Sequence, residues 1–227
     1  MKATGNFENA RNVDPMVVLS DDVRAHIDHW VAKFPPDRKR SAVIQGLFAT
    51  QQANGGWLSD ELIAAVARYL GIPPVWAYEV ATFYSMLETK PVGRHNVAVC
   101  TNISCWLNGA EDLVRHCEQK LGIKSGSTTP DGLFTVEDVE CIAACTEAPC
   151  LQVNYRYRHR ITHEEFDQLV DDLAAGRLDD EVPPHGTVAR VRQHIPEERA
   201  AGVSLPTVNV EPVWMKLNAA SEGNDAS

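Results

Sequence analysis

Two close pairs of cysteines constrain this chain more than any other feature. Cys100 and Cys105 are separated by four residues in VCTNISC, and Cys141 and Cys145 by three in ECIAAC. Four thiolates arriving as two pairs suit a four-ligand metal centre, and each pair can grip one iron of a binuclear cluster. Structural zinc sites usually draw on two-residue gaps, because a tight knuckle gives both sulfurs the bite of one tetrahedral ion. The wider gaps therefore favour one 2Fe-2S cluster over zinc, with Cys100, Cys105, Cys141 and Cys145 as its ligands. Thr101, Asn102, Ser104, Ala143 and Ala144 between the pairs are small or polar, so the loops can curl and aim backbone amides at sulfur, which helps to set a cluster's potential. The competing readings are buried apolar cysteines, a disulfide, or a zinc-stabilised interaction module without redox chemistry.

The formal charge of -10 argues against a nucleic-acid footprint and against an anionic membrane surface. No apolar run approaches a membrane span, and MKATGNFENARNVDP has no apolar signal-peptide core. The expectation is a cytoplasmic protein without direct membrane insertion. Thiols in that compartment stay reduced, which favours metal over disulfide.

Residues 1–16 are polar and unpatterned and read as an N-terminal arm. Four helices with short links follow, a small bundle over 17–90. Ser20 caps the first, with Val23, Ile27, Trp30, Val31 and Phe34 on one face, and Pro35 and Pro36 end it. The second runs from about Arg38 to Gln52. Ser59 caps the third, whose Leu62, Ile63, Val66 and Leu70 make an apolar stripe. Pro73 and Pro74 suit the first turn of the fourth. VARYLGIPPVWAYEVATFYSM has the outline of a helix-turn-helix, but its second helix offers Trp76, Tyr78, Glu79, Thr82 and Tyr84 where base readout needs Arg, Lys, Asn or Gln. Ordinary helix packing explains it better.

From residue 91 the pattern changes to a compact two-layer unit of order β, α, β, β, α, reaching 177. The strand NVAVC delivers Cys100. Asn108 and Glu111 resemble a capping box for a helix burying Leu113, Val114, Cys117 and Leu121. Cys117 lies on that apolar stripe as core filler. TTPDG is a turn by its chemistry, and FTVEDVEC brings in Cys141. Leu151–Tyr155 and Arg158–Ile161 read as a strand pair. Thr162 caps a last helix with Glu165 at the capping-box position. Both cysteine loops leave strand ends, so the four sulfurs converge if those ends share one sheet edge. Cys150 stands four residues after Cys145 and could be paired with it instead. As the opening residue of the LQVN strand, it is expected to point away from the loops. Residues 178–227, punctuated by five prolines, read as an extended tail laid along a partner. The fold class is α+β: a helical bundle, an α/β cysteine-bearing domain and a tail.

CTNISC, the TTPDG turn, the VEC-x3-C loop, the following AP and the LQVN strand resemble the E component of respiratory complex I, NADH:quinone oxidoreductase. The resemblance runs from GWLSDELIAAVARYLGIPPVWAYEVATFYSM to about Gly176. It implies a thioredoxin-like ferredoxin domain behind the bundle and one 2Fe-2S cluster, with Cys100, Cys105, Cys141 and Cys145 matching the family ligand positions. It also implies attachment to a flavin- and NADH-binding partner, the F component, in the peripheral arm of a membrane complex at the inner face of the cell membrane. Relatives with this architecture also serve as diaphorase subunits of NAD-linked hydrogenases and formate dehydrogenases.

Thioredoxin chemistry is not expected, because disulfide exchange on that fold needs C-x-x-C and the chain has none. Neither G-x-G-x-x-G nor G-x-x-x-x-G-K-[ST] occurs, so no nucleotide site is expected here. His159 and His163 straddle a strand and a helix start, a poor metal pair. FMN and NADH would sit on the partner, and this chain alone would hold no complete active site.

Overall fold

The computed structural model describes residues 12–182 and His185, all within one compact unit. Asp14 accepts a hydrogen bond from the Met16 amide and starts a short helix, α1 (Pro15–Val18). α1 lies at the boundary expected for a featureless arm. Ser20 caps α2 (Asp21–Val31), which buries Val23 and Ile27. The helix expected from Arg38 divides in two. Pro36–Ala42 is a 3-10 segment with a non-helical Arg38, and only then does α3 (Val43–Ala53) begin. The 3-10 segment carries Asp37, Arg38, Lys39 and Arg40 in succession, and its packed residue is Ala42 at its end. Ser59 caps α4 (Asp60–Tyr69) through the Leu62 amide, and Pro74 opens α5 (Pro74–Phe83).

The five helices share one core that includes Ile27, Leu47, Leu58, Ile63, Val66, Ala77, Ala81 and Leu87. Gly46 sets the closest approach. A Cβ there would sit 3.1 Å from Val66 Cγ1 and 3.3 Å from Ile27 Cγ1, so α3 meets α2 and α4 only because no side chain intervenes. α4 and α5 pack on one another across the Gly71 turn, and Arg40 lies over the Trp76 ring at 4.2 Å. Helix packing thus accounts for the helix-turn-helix outline.

The second core lies under a five-stranded mixed sheet of order β2-β3-β1-β4-β5. The strands are β1 (His95–Cys100), β2 (Ser127–Thr128), β3 (Phe134–Val139), β4 (Leu151–Val153) and β5 (Arg156–Arg158). Two further helices, α6 (Ile103–Leu107) and α7 (Ala110–Leu121), join β1 to β2, and α8 (His163–Ala174) follows β5. β1 and β3 are parallel with Cys100 opposite Val139, whereas β1–β4 and β4–β5 are antiparallel. Val97, Val99, Leu113, Cys117, Val136, Leu151, Phe166 and Leu173 fill the layer between sheet and helices. The α+β expectation is borne out.

Three local readings need correction. Asn108 ends α6 and donates its side-chain N–H to Ser104 O, and Gly109, in the left-handed region, is the residue that opens α7. The β4–β5 turn falls at Asn154–Tyr155, both at positive φ, so the second strand starts at Arg156 and not Arg158. A two-residue loop with positive φ at both positions matches the twist of a hairpin. Finally, β2 completes the TTPDG hairpin as a two-residue strand. The α8 cap is as expected: Thr162 Oγ1 accepts from the Glu165 amide, and Glu165 accepts from the Thr162 amide at 2.9 Å.

Packing continues past 177. Leu178 lies against the sheet core, Val182 is fully buried in it, and Asp179 pairs with Arg94 at 2.8 Å. Apart from residues 178–182 and His185, the segment expected to be a partner-binding tail lies outside the described residues, as do residues 1–11. No described helix is long and apolar enough to cross a membrane.

Candidate metal centre

Parallel pairing of β1 and β3 brings both cysteine loops to one edge of the sheet. Cys100 is the last residue of β1, and Cys141 follows β3 by two residues. The loops are tied together directly. Thr101 N–H donates to Val139 O at 3.0 Å, and Asn102 Nδ2 donates to Glu140 Oε2 at 2.7 Å while its Oδ1 caps α6. Cys105 therefore sits on a short helix, not in the loop expected for it, and α6 packs against the 3-10 turn Cys145–Glu147. Tyr157 Oη donates to Ile142 O at 2.6 Å, pinning the Cys141 loop to the β4–β5 hairpin.

The sulfurs fall into two groups. Cys141 Sγ and Cys145 Sγ are 3.5 Å apart at the exposed rim. Cys100, Cys105 and Cys150 are buried, with their sulfurs all within 4.8 Å of one another. A tetrahedral metal with bonds of about 2.3 Å to sulfur holds two thiolates about 3.8 Å apart. Both groups therefore fit chelation of a thiophilic metal. Ala143, between the rim cysteines, adopts φ 63° and donates its amide to Cys141 Sγ at 3.4 Å. This is the kind of amide–sulfur contact that small residues in the loop allow.

Cys150 is the residue that sequence reasoning misplaces. Instead of pointing away from the loops, it holds its sulfur 3.4 Å from Cys105 Sγ. The cause is strand register. Val99 pairs with Leu151, and the Cys100 amide donates to Cys150 O, so Cys150 stands opposite Cys100 on an antiparallel neighbour. Side chains directly opposite across such a pair share a face. Pairing between β1 and β4 is a long-range fact, and no local signal around APCLQVN carries it.

Burial raises the Cys105 and Cys150 thiols above their ordinary range, and the neighbouring Cys141 raises Cys145. Without a metal these thiols hold their protons, and a bound cation would have to displace them to hold thiolates. Cys117 belongs elsewhere. It is fully buried on α7, in the core, and burial pushes its thiol up to about 12. Among the histidines, His163 stacks on His116 and His159 on Tyr157, so the two are held by different ring partners.

Fold and site together define a small cysteine-ligated metal domain, with its ligand loops at the end of a parallel strand pair. The profile of the thioredoxin-like [2Fe-2S] ferredoxin family matches residues 27–174. The chain belongs to that family. The E subunit of NADH-quinone oxidoreductase from Rickettsia felis is 46% identical over 144 residues, covering 63% of this chain and 86% of that protein. The corresponding E 2 subunit from Rhizobium meliloti is 40% identical over 153 residues, covering 67% of this chain and 89% of that protein. The resemblance to the E component of complex I is thereby borne out. An NAD+-reducing [NiFe]-hydrogenase in its H2-reduced state has a similar fold, with a TM-score of 0.52 at 22% identity, covering 61% of this chain and 24% of that one.

Proposed function

We propose that this chain is the 2Fe-2S electron-transfer subunit of an NADH:quinone oxidoreductase. In this reading Cys100 and Cys105 hold one iron, and Cys141 and Cys145 the other. What supports it is that paired strands β1 and β3 carry the two cysteine loops to one sheet edge, in a chain similar over most of its folded length to the E subunits of that enzyme. The bound cluster supplies one-electron redox capacity. The protein's part is to bury the Cys100 and Cys105 sulfurs from water, to fix the rim pair through the Tyr157 and Asn102 contacts, and to direct the Ala143 amide at Cys141.

Hydride chemistry then belongs to a partner, the F component, carrying FMN and binding NADH, with which this chain exchanges single electrons. The complex's peripheral arm on the cytoplasmic face is the corresponding location. The domain division that goes with this reading is an arm (1–16), a helical bundle (17–90), a 2Fe-2S domain (91–177) and a partner-binding tail (178–227).

Iron and acid-labile sulfide in the anaerobically purified chain test the ligand set. About two of each are expected in the wild type and in Cys117→Ala, and loss is expected on replacing any of Cys100, Cys105, Cys141 or Cys145 by Ala. Retention of the cluster in Cys141→Ala with loss in Cys150→Ala would overturn this ligand set. Copurification from the native source tests the complex: a flavoprotein with quinone-reductase subunits is expected, and hydrogenase or formate dehydrogenase subunits would replace that assignment.

A further inference from the structure

Cys150 is a fifth thiol in a site that needs four. Each iron of a 2Fe-2S unit takes two thiolates beside two sulfides, so the four ligands proposed above leave Cys150 over. Its side chain is 0% exposed, and its sulfur lies 3.4 Å from Cys105 Sγ, 3.8 Å from Ala144 O and within 4.8 Å of Cys100 Sγ. The shortest contact decides its role. Once Cys105 binds metal as a thiolate it has no proton to give, so Cys150 is the donor in the S–H···S pair. The position is fixed on both sides: its carbonyl accepts from the Cys100 amide, and Leu151 beside it is in register with Val99. The thiol is thus held beside Cys105 by a strand paired with the one that carries Cys100.

We propose that the Cys150 thiol donates a hydrogen bond to the Cys105 thiolate and thereby raises the reduction potential of the cluster. The physical ground is differential. Reduction adds one negative charge to the cluster, charge-assisted hydrogen bonds are stronger than neutral ones, and donors to sulfur therefore stabilise the reduced form more. An apolar residue of similar size would exclude water equally well and supply no donor. Cys150 is accordingly a tuning residue acting through Cys105, not a ligand. The inference rests on the 2Fe-2S reading above.

The test is an EPR-monitored redox titration of the full-length, anaerobically purified protein and of three variants. Cys150→Ser keeps a donor, Cys150→Val keeps bulk without one, and Cys150→Ala has neither. At the wild-type midpoint, Val and Ala should show a reduced-to-oxidised ratio about tenfold lower, a shift of about 59 mV to lower potential. Ser should stay within about twofold of wild type. Val and Ala values within twofold of wild type would overturn the proposal, as would a Ser variant displaced as far as Val. Loss of iron from Cys150→Ala with retention in Cys141→Ala would make Cys150 a ligand instead.

Should these variants fail to assemble, the S–H stretch of the Cys117→Ala protein reads the same bond in the otherwise native site. One band that moves to lower frequency on reduction is expected, and no such band, or one indifferent to reduction, refutes the donor. Absence of iron and sulfide from the wild type would sink the cluster reading itself, a result separate from an unmoved potential.

Discussion

Tyr155 joins the bundle to the cysteine-bearing sheet. It sits at φ 66° in the β4–β5 turn, and its Oη donates to Met86 O at 2.8 Å. Met86 O also accepts from Gln51 Nε2 at 3.0 Å. In Tyr155→Phe the carbonyl therefore keeps a partner, and the cost is that of one ordinary hydrogen bond, about 1 kcal/mol, rather than the up to about 3 kcal/mol of an orphaned buried group. Burial, reinforced by Glu88 and Glu137, pushes the Tyr155 phenol up from its ordinary value of 10.0.

A phenol whose folded value is raised stabilises the protein fully below the unfolded value and loses that contribution as pH rises above it. Between pH 7 and 11 wild type should lose about 1.4 kcal/mol that Tyr155→Phe does not. Wild type is then the more stable protein at pH 7 by about 1 kcal/mol, and the order reverses at about pH 10.6. Anaerobic urea unfolding of both proteins at a series of pH values measures this. A penalty that stays constant from pH 7 to 11 refutes the burial argument, and no penalty at pH 7 refutes the hydrogen bond.

Three further outcomes follow from the same packing. A Cβ on Gly93 would lie 2.7 Å from Phe134 C and 2.9 Å from Phe134 N, both backbone atoms. Gly93→Ala should therefore cost roughly 1–3 kcal/mol in urea unfolding, because a strand cannot yield as a side chain can. His95 is fully buried, its ring nitrogens have no hydrogen-bond partner among the described residues, and burial followed by Arg94 lowers its pKa. A lowered histidine value means stability lost as pH falls through the unfolded value of 6.5, so His95→Leu should show a shallower decline between about pH 6.5 and 5. Cys117, with its thiol at about 12, should resist alkylation at about pH 8 in the folded protein and react once unfolded, as followed by mass spectrometry.

What is legible in the sequence is local. Ser59 and Thr162 with Glu165 announce their helices because capping is settled within four residues. The closeness of Cys141 to Cys145, 3.5 Å between sulfurs, is legible for the same reason: their gap spans only three residues of chain. Asn108 misleads because the same short polar side chain serves the end of one helix as well as the start of another, and α6 is too short to leave a periodic trace. The Arg38 stretch reads as helix because charged residues are good helix formers, yet Arg38 is not helical. Cys150 is out of reach of local reading because its direction depends on β1–β4 register, which brings together residues about fifty apart in the chain.

The bound cluster is the central claim. Visible absorption and low-temperature EPR of anaerobically purified protein, before and after dithionite, address it most directly, with iron and sulfide assayed in the same sample. A brown protein with about two irons and two sulfides, EPR-silent when oxidised and giving one rhombic signal when reduced, is the predicted result. A colourless protein holding about one zinc would contradict the claim and leave a structural metal module in its place.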